Sequence, residues 1–352
     1  MPNIVHVKGT GTIGEPLIGL LDDHREAFGI DEITFHKRTP LIDERAKIND
    51  LMRRGASLAV DQDRWSEFEE LGHAPKFEAR EAVNRASVVI DCTPAGNENK
   101  EKYYQEADGP LGFLAQGSEF GFGKPYARGI NDAALDREND RFLQIVSCNT
   151  HNISSLVKTL AMDEDGTSHL ESGRFLCMRR ANDISQDDSF SPSPTVGIHN
   201  DPHFGTHHAR DSHELFSTLG YDVPVWSSAI KLPTQYMHAI WFSLTLDRGI
   251  NVEEATERLQ ANTRVALTYK RSANQIFSFG RDHGFYGRIL SQTVVSVETL
   301  AVRNGNEIVG FCFTPQDGNA LLSSLTATLW YLHPGGFGER IDAIRPFLFQ
   351  EV

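Results

Sequence analysis

The sequence has few cysteines, no excess of positive charge and no long apolar segment. Its four cysteines, Cys92, Cys148, Cys177 and Cys312, lie far apart without metal-ligand spacing, and 352 residues can form a core without disulfide bonds. The formal net charge of −14 excludes tight, non-specific nucleic-acid binding, which requires a basic surface. Because no signal-peptide pattern or membrane-length apolar run is present, we expect a cytoplasmic chain with reduced thiols and no membrane partner.

The composition is otherwise that of a globular protein, with 39% hydrophobic and 23% charged residues. The length predicts two domains rather than one core. We find no internal repeat, and the nearest approach to low complexity, residues 185–194, is typical of an exposed loop.

A glycine-rich motif follows the first apolar run. Residues 4–7 predict a strand, and GTGTIG at 9–14 leads into a helical pattern. Glycines in this position allow a tight turn and a close approach of the backbone to a pyrophosphate at the helix N-terminus. The motif predicts a dinucleotide site that includes Gly9, Gly11, Thr12, Ile13 and Gly14.

Three further predicted strands end in loops that suit the same site. Strand 32–35 is followed by Lys37 and Arg38, where NAD-specific proteins usually carry an acidic residue. The two cations favour NADP, or use of both cofactors, over strict NAD, although they are also typical of a solvated turn. Strands 87–91 and 112–115 lead to Thr93 and Pro94 and to Gly117, which we expect to line the cofactor crevice.

The stretch 143–160 predicts a strand, a sharp turn and a helix, with Cys148 in the turn. The N-terminal end of a helix lowers the pKa of a thiol and can hold an oxyanion, so Cys148 is a candidate nucleophile. The alternative is a small buried core residue.

The second half of the chain predicts longer strands at 174–181, 223–232 and 236–246, with helices at 212–219 and 252–261. A short helix is predicted from residue 131 to 135. We therefore predict an α/β protein: a Rossmann domain over 1–147, an α+β catalytic domain with a mixed or antiparallel sheet over 148–317, and a C-terminal segment, 318–352, whose helix packs on the nucleotide domain.

Several motifs occur together in an order that resembles the archaeal-type, or type II, phosphorylating glyceraldehyde-3-phosphate dehydrogenases. They are GTGTIG at 9–14, VIDCTP at 89–94, QG at 116–117, VSCNT at 146–150, RRA at 179–181 with Asp183, THH at 206–208 with Asp211, and PTQYMH at 233–238.

The resemblance implies specific roles. It makes Cys148 the nucleophile and His238 its partner, and it implies a homotetramer that uses NADP or both nicotinamide cofactors. The residues that it places around the substrate and phosphate are Asn149, Thr150, Arg179, Arg180, His207 and His208, and it places Asn319 at the cofactor.

The chemistry expected of these residues is thioester formation. Cys148 attacks an aldehyde, His238 takes the hydroxyl proton as hydride moves to the nicotinamide, and inorganic phosphate held by Arg179 or Arg180 releases an acyl phosphate. Neighbouring arginines in a strand point to opposite faces, so only one needs to reach the site. The histidines between 199 and 213 match no zinc spacing, and we predict no metal.

The sequence departs from the family where the substrate should bind. His151 and Asn152 replace a Thr-Gly pair, Ala209 and Arg210 replace Gly-Pro, the segment between Arg180 and His207 is longer, and residues 316–319 meet the family's glutamine signature only loosely. Two alternatives therefore stay open: the same chemistry on another phosphorylated or acidic aldehyde, and a nucleotide-binding regulatory protein without turnover. Retention of Cys148 and His238 argues against the second.

Overall fold

A computed structural model describes residues 2–117, 119–183, 191–315 and 317–352. The chain divides into two compact units. The first consists of Met1–Lys124, Leu135–Ile145 and Ser323–Arg345, and the second of Pro125–Ala134, Val146–Leu322 and Pro346–Val352.

The regular elements are numbered in chain order. The strands are β1 (Ile4–Lys8), β2 (Glu32–His36), β3 (Ser57–Val60), β4 (Phe77–Glu78), β5 (Val88–Asp91), β6 (Gly112–Gln116), β7 (Lys124–Tyr126), β8 (Phe142–Ile145), β9 (Leu170–Arg179), β10 (Thr195–Val196), β11 (Val225–Lys231), β12 (Ala239–Leu246), β13 (Val265–Thr268), β14 (Thr293–Ser296), β15 (Ala301–Arg303) and β16 (Glu307–Phe313). The α-helices are α1 (Gly14–Asp23), α2 (Arg25–Phe28), α3 (Arg45–Arg54), α4 (Trp65–Glu70), α5 (Ala79–Arg85), α6 (Gly96–Asn99), α7 (Cys148–Ala161), α8 (His207–Ser217), α9 (Val252–Ala261), α10 (Ala273–His283), α11 (Gly318–Leu332) and α12 (Phe337–Ile341).

The first sheet has the strand order β4-β3-β2-β1-β5-β6-β8-β7, and its pairs from β4 to β8 are parallel. Its central strands are buried on both faces, as a sheet covered on both sides requires: Val5, Val7 and Phe35 lie on one face, and Val89 lies on the other beside the hydrogen-bonded pair His6 and Thr34. The strand order reverses beside β1, between β2 and β5. Open α/β sheets form a ligand crevice at such a switch point. The parallel pairing and the strand order confirm the predicted Rossmann-like fold.

The second sheet is mixed, in the order β10-β11-β9-β12-β16-β14-β13, with β15 paired to β16. Helix α7 buries Ile153, Leu156, Val157 and Leu160 in a core that also contains Phe242 of β12. The apolar positions recur every three to four residues, so one face of the helix turns toward the sheet. The predicted mixed sheet is therefore confirmed.

Some predicted elements differ from the structure. The helix expected from 131 to 135 is only a 3₁₀ turn, Asp132–Ala134, because Asp132 is held by Tyr126, Arg128 and the Gly129 N–H. Helix α8 begins at His207, five residues before its predicted start at 212, which puts the histidine pair in its first turn. Most of the expected loop at 185–194 lies outside the described residues.

Among the helices of the described ranges, none has the apolar length that a bilayer crossing requires.

Candidate active site

Cys148 is the first residue of α7, as its sequence predicts. Ser147 caps the helix: its hydroxyl oxygen accepts a hydrogen bond from the Thr150 N–H at 3.3 Å, and its carbonyl accepts the His151 N–H at 2.9 Å. The Cys148 side chain is partly exposed, whereas Asn149 and Thr150 are buried. Ser147 and Cys148 are therefore the two partly exposed residues of this turn.

The second sheet brings distant residues to one of its ends. Strand β12 runs antiparallel to both β9 and β16. Because of this pairing, His238, which precedes β12, lies at the same end as Arg180 and Thr314, which follow β9 and β16. The sequence separations are long, yet the register fixes these neighbours.

Thr314 connects the cysteine turn to the histidine. Its N–H donates to the His238 carbonyl at 2.9 Å, and its hydroxyl donates to Asn149 Oδ1 at 3.1 Å. The same hydroxyl oxygen accepts a hydrogen bond from Asn152 Nδ2 at 3.0 Å. These bonds tie the backbone of His238 to the Asn149 side chain, next to Cys148, and Thr314 is a residue of this region that the sequence analysis missed.

His238 is held by the backbone of Arg180, whose N–H donates to His238 Nδ1 at 2.9 Å. A backbone N–H can only donate, so the neutral imidazole carries its proton on Nε2. Burial, together with Arg180 and Arg179, lowers the pKa of His238 to about 3. In this arrangement the side chain is a neutral hydrogen-bond donor.

Arg180 is the buried member of the arginine pair, and Arg179 is exposed, in line with the expected opposite orientations. The Arg180 guanidinium forms ion pairs with Asp183 and with Asp317, whose Oδ1 lies 3.6 Å from Nη2. Two carboxylates thus share one buried cation, and the sequence analysis assigned no role to either.

The expected lowering of the thiol pKa is not found. Burial and the Asp317 carboxylate raise the pKa of Cys148 to about 11, and they outweigh Arg180 and the hydrogen bond from the Asn149 N–H, which lower it. The position at a helix end did not decide the outcome because tertiary burial and a nearby negative charge act more strongly.

The histidine pair occupies the first turn of α8, with ring centroids 4.0 Å apart. His208 is buried and its Nε2 lies 3.5 Å from Asn149 Nδ2, next to the cysteine, whereas His207 is exposed. Burial lowers the pKa of both. Both are thus neutral polar groups near the site, and the exposed His207 is the one open to a ligand.

The residues that depart from the family sequence lie behind the site. His151 is fully buried, donates from Nδ1 to the Ser147 carbonyl at 3.0 Å, and has a pKa lowered to about 4 by burial. Asn152 is also buried and accepts a hydrogen bond from Cys312 Sγ at 3.2 Å. Arg210 pairs with Asp211 on α8. His151 and Asn152 therefore support the cysteine turn from within the core.

In the first unit, the glycine loop has the geometry that a dinucleotide requires. Gly9 has φ +96°, and a Cβ on Gly14 would lie 2.1 Å from the Gly9 carbonyl oxygen, so the first and third glycines are needed for the turn. A Cβ on Gly11 would meet nothing within 4 Å, which leaves its backbone open to a ligand. Thr93 packs against Gly9 and is held by Asp91 Oδ1.

A cavity of about 350 Å³ opens at this loop, and its lining contains most of the predicted cofactor residues: Gly9, Gly11, Lys37, Arg38, Thr93 and Pro94. Thr12 and Ile13 continue the same loop but do not line the cavity, and Gly117, with φ +56°, follows β6. The loop and its cavity fit the pyrophosphate and ribose of a dinucleotide.

The charges of this cavity are more mixed than the sequence indicated. Glu44 forms ion pairs with both Lys37 and Lys47. Asp61, which follows β3, also lines the cavity, and its carboxylate lies 3.4 Å from His36 Nε2. Asp61 could have been anticipated, because the carboxyl ends of parallel strands meet at one sheet edge. The Lys37–Glu44–Lys47 group keeps one net positive charge, to which Arg38 adds.

Asn319, predicted at the cofactor, is fully buried in the second unit. Its Nδ2 donates to the Cys148 carbonyl at 3.0 Å and to the Gln292 carbonyl at 3.3 Å. It therefore fixes the backbone of the nucleophile. Gln316, from the loosely matched signature, lies outside the described residues. In the ranges that the structure describes, no group of three or more His, Cys, Asp or Glu side chains is arranged to hold a metal.

Comparison with known proteins relates the chain to one group of enzymes. No protein-family model matches it. It is 25% identical over 316 residues to the glyceraldehyde-3-phosphate dehydrogenase of Pyrobaculum islandicum, covering 86% of this chain and 85% of that protein. The enzyme of the same name from Sulfolobus acidocaldarius is 26% identical over 86% of this chain and 84% of its own length, and that of Methanobacterium bryantii is 28% identical over 75% and 73%. The predicted resemblance is confirmed: over most of its length the chain is similar, at 25–28% identity, to archaeal enzymes named glyceraldehyde-3-phosphate dehydrogenase.

Proposed function

We propose that this protein is an NAD(P)-dependent aldehyde dehydrogenase that oxidises glyceraldehyde 3-phosphate reversibly, with inorganic phosphate, to an acyl phosphate. The observation that carries the proposal is the cluster around Thr314, which joins the backbone carbonyl of His238 to the side chain of Asn149, the residue that follows the partly exposed Cys148 at the start of α7. The similarity to enzymes named for this reaction gives the substrate class.

In the first chemical step the Cys148 sulfur attacks the aldehyde carbon: the sulfur–carbon bond forms, the carbonyl π bond opens, and the thiol proton passes to the carbonyl oxygen, which becomes the hydroxyl of the thiohemiacetal. We assign to His238 a hydrogen bond from its Nε2–H to the developing oxyanion; the support is that Nδ1 already accepts the Arg180 N–H. A role of His238 as the base requires this backbone bond to be given up, so the geometry favours the donor role over the predicted one. Asn319 and Ser147 hold the cysteine backbone in place.

When bound, a nicotinamide would supply the hydride acceptor that oxidation of the thiohemiacetal to a thioester requires. Gly9, Gly11, Thr93 and Arg38 are the residues that would hold the dinucleotide. Inorganic phosphate then attacks the thioester carbon, the carbon–sulfur bond breaks, and the Cys148 thiolate leaves as the acyl phosphate forms.

The exposed cationic side of the site is suited to the substrate's anions. Arg179 lies beside His207, whose pKa its charge lowers further, and Lys231 of β11 is its parallel neighbour in the sheet. A guanidinium binds phosphate oxygens in a bidentate manner. We therefore assign the phosphate groups to Arg179 and His207, while Arg180, paired with two carboxylates, orders the site.

We propose NADP as the preferred cofactor. The support is the net positive Lys37–Glu44–Lys47 group together with the exposed Arg38, which a 2′-phosphate would meet at the end of β2. The family resemblance also implies a homotetramer. Light scattering of the purified protein, which measures its molar mass in solution, tests this.

The test is to follow reduced nicotinamide by absorbance with a panel of phosphorylated and acidic aldehydes, with NADP or NAD, and with or without inorganic phosphate. We expect the fastest turnover with glyceraldehyde 3-phosphate, NADP and phosphate, and a single turnover per chain when phosphate is omitted. Continuous turnover without phosphate would exclude the phosphorylating reaction. A faster reaction with another aldehyde would make that aldehyde, rather than glyceraldehyde 3-phosphate, the assigned substrate. If no aldehyde leads to reduction of either cofactor, the result would favour a nucleotide-binding regulatory protein.

A further inference from the structure

Asp317 is a buried carboxylate beside the nucleophile for which the reaction above has no use. It lies between β16 and α11 with only 8% of its surface exposed and φ +61°, a left-handed conformation that is uncommon for residues other than glycine. Two residues further on, Asn319 holds the Cys148 carbonyl. The loop that carries Asp317 is therefore tied to the cysteine turn.

The carboxylate is only half satisfied. Its Oδ1 faces the Arg180 guanidinium at 3.6 Å, and within the described residues its buried Oδ2 has no hydrogen-bond partner. The other charged groups that act on it are Arg288 and Asp183, and Cys148 is the nearby thiol whose ionisation it opposes. A buried carboxylate oxygen without a donor is costly, so its retention calls for a function.

The reaction needs a proton acceptor that the two buried histidines do not provide. His238 Nδ1 accepts the Arg180 N–H, and His208 Nε2 faces the Asn149 amide group at 3.5 Å. Each neutral imidazole therefore carries its proton on the other nitrogen and is arranged as a donor. Of the acidic groups around Cys148, Asp183 is the more exposed, which leaves Oδ2 of Asp317 as the buried, unoccupied acceptor.

We propose, on the basis of the dehydrogenase function above, that Asp317 accepts the hydroxyl proton of the thiohemiacetal. The O–H bond breaks and its proton moves to Oδ2, the hydride leaves the same carbon for the oxidised nicotinamide, and the carbon–oxygen double bond of the thioester forms. His238 donates to the same oxygen during the preceding attack. The pair thus divides the two proton tasks between a donor and an acceptor.

The test compares Asp317→Asn with Asp342→Asn, which removes an exposed carboxylate that pairs with Arg345 in the first unit. Asparagine tolerates the left-handed conformation, so the backbone should be retained. We expect kcat for aldehyde oxidation to fall about 100-fold in D317N and to lose its acidic pH limb. In D342N we expect kcat within about threefold of wild type, because an exposed, paired carboxylate outside the site contributes little, and an equal fall in D317N and D342N would overturn the assignment.

A second readout needs neither cofactor nor aldehyde: the rate at which iodoacetamide alkylates Cys148, measured by peptide mass spectrometry. Removing the Asp317 charge lowers the thiol pKa, so D317N should be alkylated faster, by about threefold for each unit of pKa. A sulfur that becomes more reactive while turnover falls is the signature of a lost proton acceptor. A structural defect would slow both reactions and would overturn the assignment.

A third variant, Asp317→Gly, opens space for an added carboxylate, and we expect formate to restore part of its turnover. If the wild-type enzyme is active and D317N keeps the wild-type kcat with an unchanged acidic limb, the role of Asp317 is refuted while the proposed function stands. A wild-type chain that reduces no nicotinamide with any aldehyde would overturn the proposed function and, with it, this inference.

Discussion

Thr314→Val tests whether the network between the cysteine turn and β16 holds the site together. Thr314 is buried, with 2% of its surface exposed, and its hydroxyl serves Asn149 Oδ1 and Asn152 Nδ2 at 3.1 and 3.0 Å. Valine has almost the same shape, so the change leaves no cavity but removes both partners. The Thr314 N–H bond to His238 is retained in the variant.

The magnitude follows from the two groups that are left unsatisfied. Each buried polar group that loses its partner costs about 1 to 3 kcal/mol, and two groups lose theirs, Asn149 Oδ1 and Asn152 Nδ2, so we expect a loss of about 2 to 6 kcal/mol of unfolding free energy. A guanidinium titration followed by circular dichroism measures it. Turnover should fall as well, because Asn149 adjoins the nucleophile.

The matched control is Thr256→Val in α9. The Thr256 hydroxyl donates only to the Val252 carbonyl of its own helix, at 2.8 Å, so its loss should cost about 0.5 to 1 kcal/mol. If T314V is no more destabilising than T256V, or if it retains full turnover, the view of Thr314 as the connecting residue is refuted.

Three further predictions concern the glycine loop, the cofactor and the thiol. Gly14→Ala should lower the unfolding free energy by about 2 to 3 kcal/mol, because its Cβ would meet the Gly9 carbonyl. Gly11→Ala should fold normally yet bind the dinucleotide about tenfold more weakly. Thermal melts and fluorescence titrations distinguish the two variants, and equal melting temperatures would contradict the packing argument. Arg38→Gln should raise the KM for NADP about tenfold and leave the KM for NAD unchanged. An equal effect on both cofactors would refute the assignment of Arg38 to the 2′-phosphate of NADP. In the cofactor-free chain, alkylation of Cys148 should rise about tenfold per pH unit up to a pKa of about 11, since only the thiolate reacts, and a plateau near pH 7 would be inconsistent with the electrostatics described above.

The features that could be predicted from the sequence are local ones. The strand, glycine loop and helix at the N-terminus, and the strand, turn and helix around Cys148, each follow from patterns within about twenty residues. A capping serine and a run of apolar residues at helical spacing specify the position of Cys148 without help from the rest of the chain.

The features that were missed depend on residues far apart in sequence. Thr314 and Asp317 follow β16, whose antiparallel pairing with β12 brings Thr314 to His238, and no local pattern reveals that pairing. The pKa of Cys148 was expected to be low from its helix position, but burial and Asp317 determine it. At the cofactor cavity, the basic pair was recognised while Glu44, which neutralises part of its charge, was not.

The most direct test of the account is the mass of the protein after it is mixed with glyceraldehyde 3-phosphate and NADP in the absence of phosphate. We predict one acyl group per chain, located on the Cys148 peptide, formed together with one equivalent of reduced cofactor and released when phosphate is added. Cys148→Ser should bind the cofactor and form neither product. Reduced cofactor without an adduct, or an adduct on another residue, would contradict the assignment of Cys148 as the nucleophile.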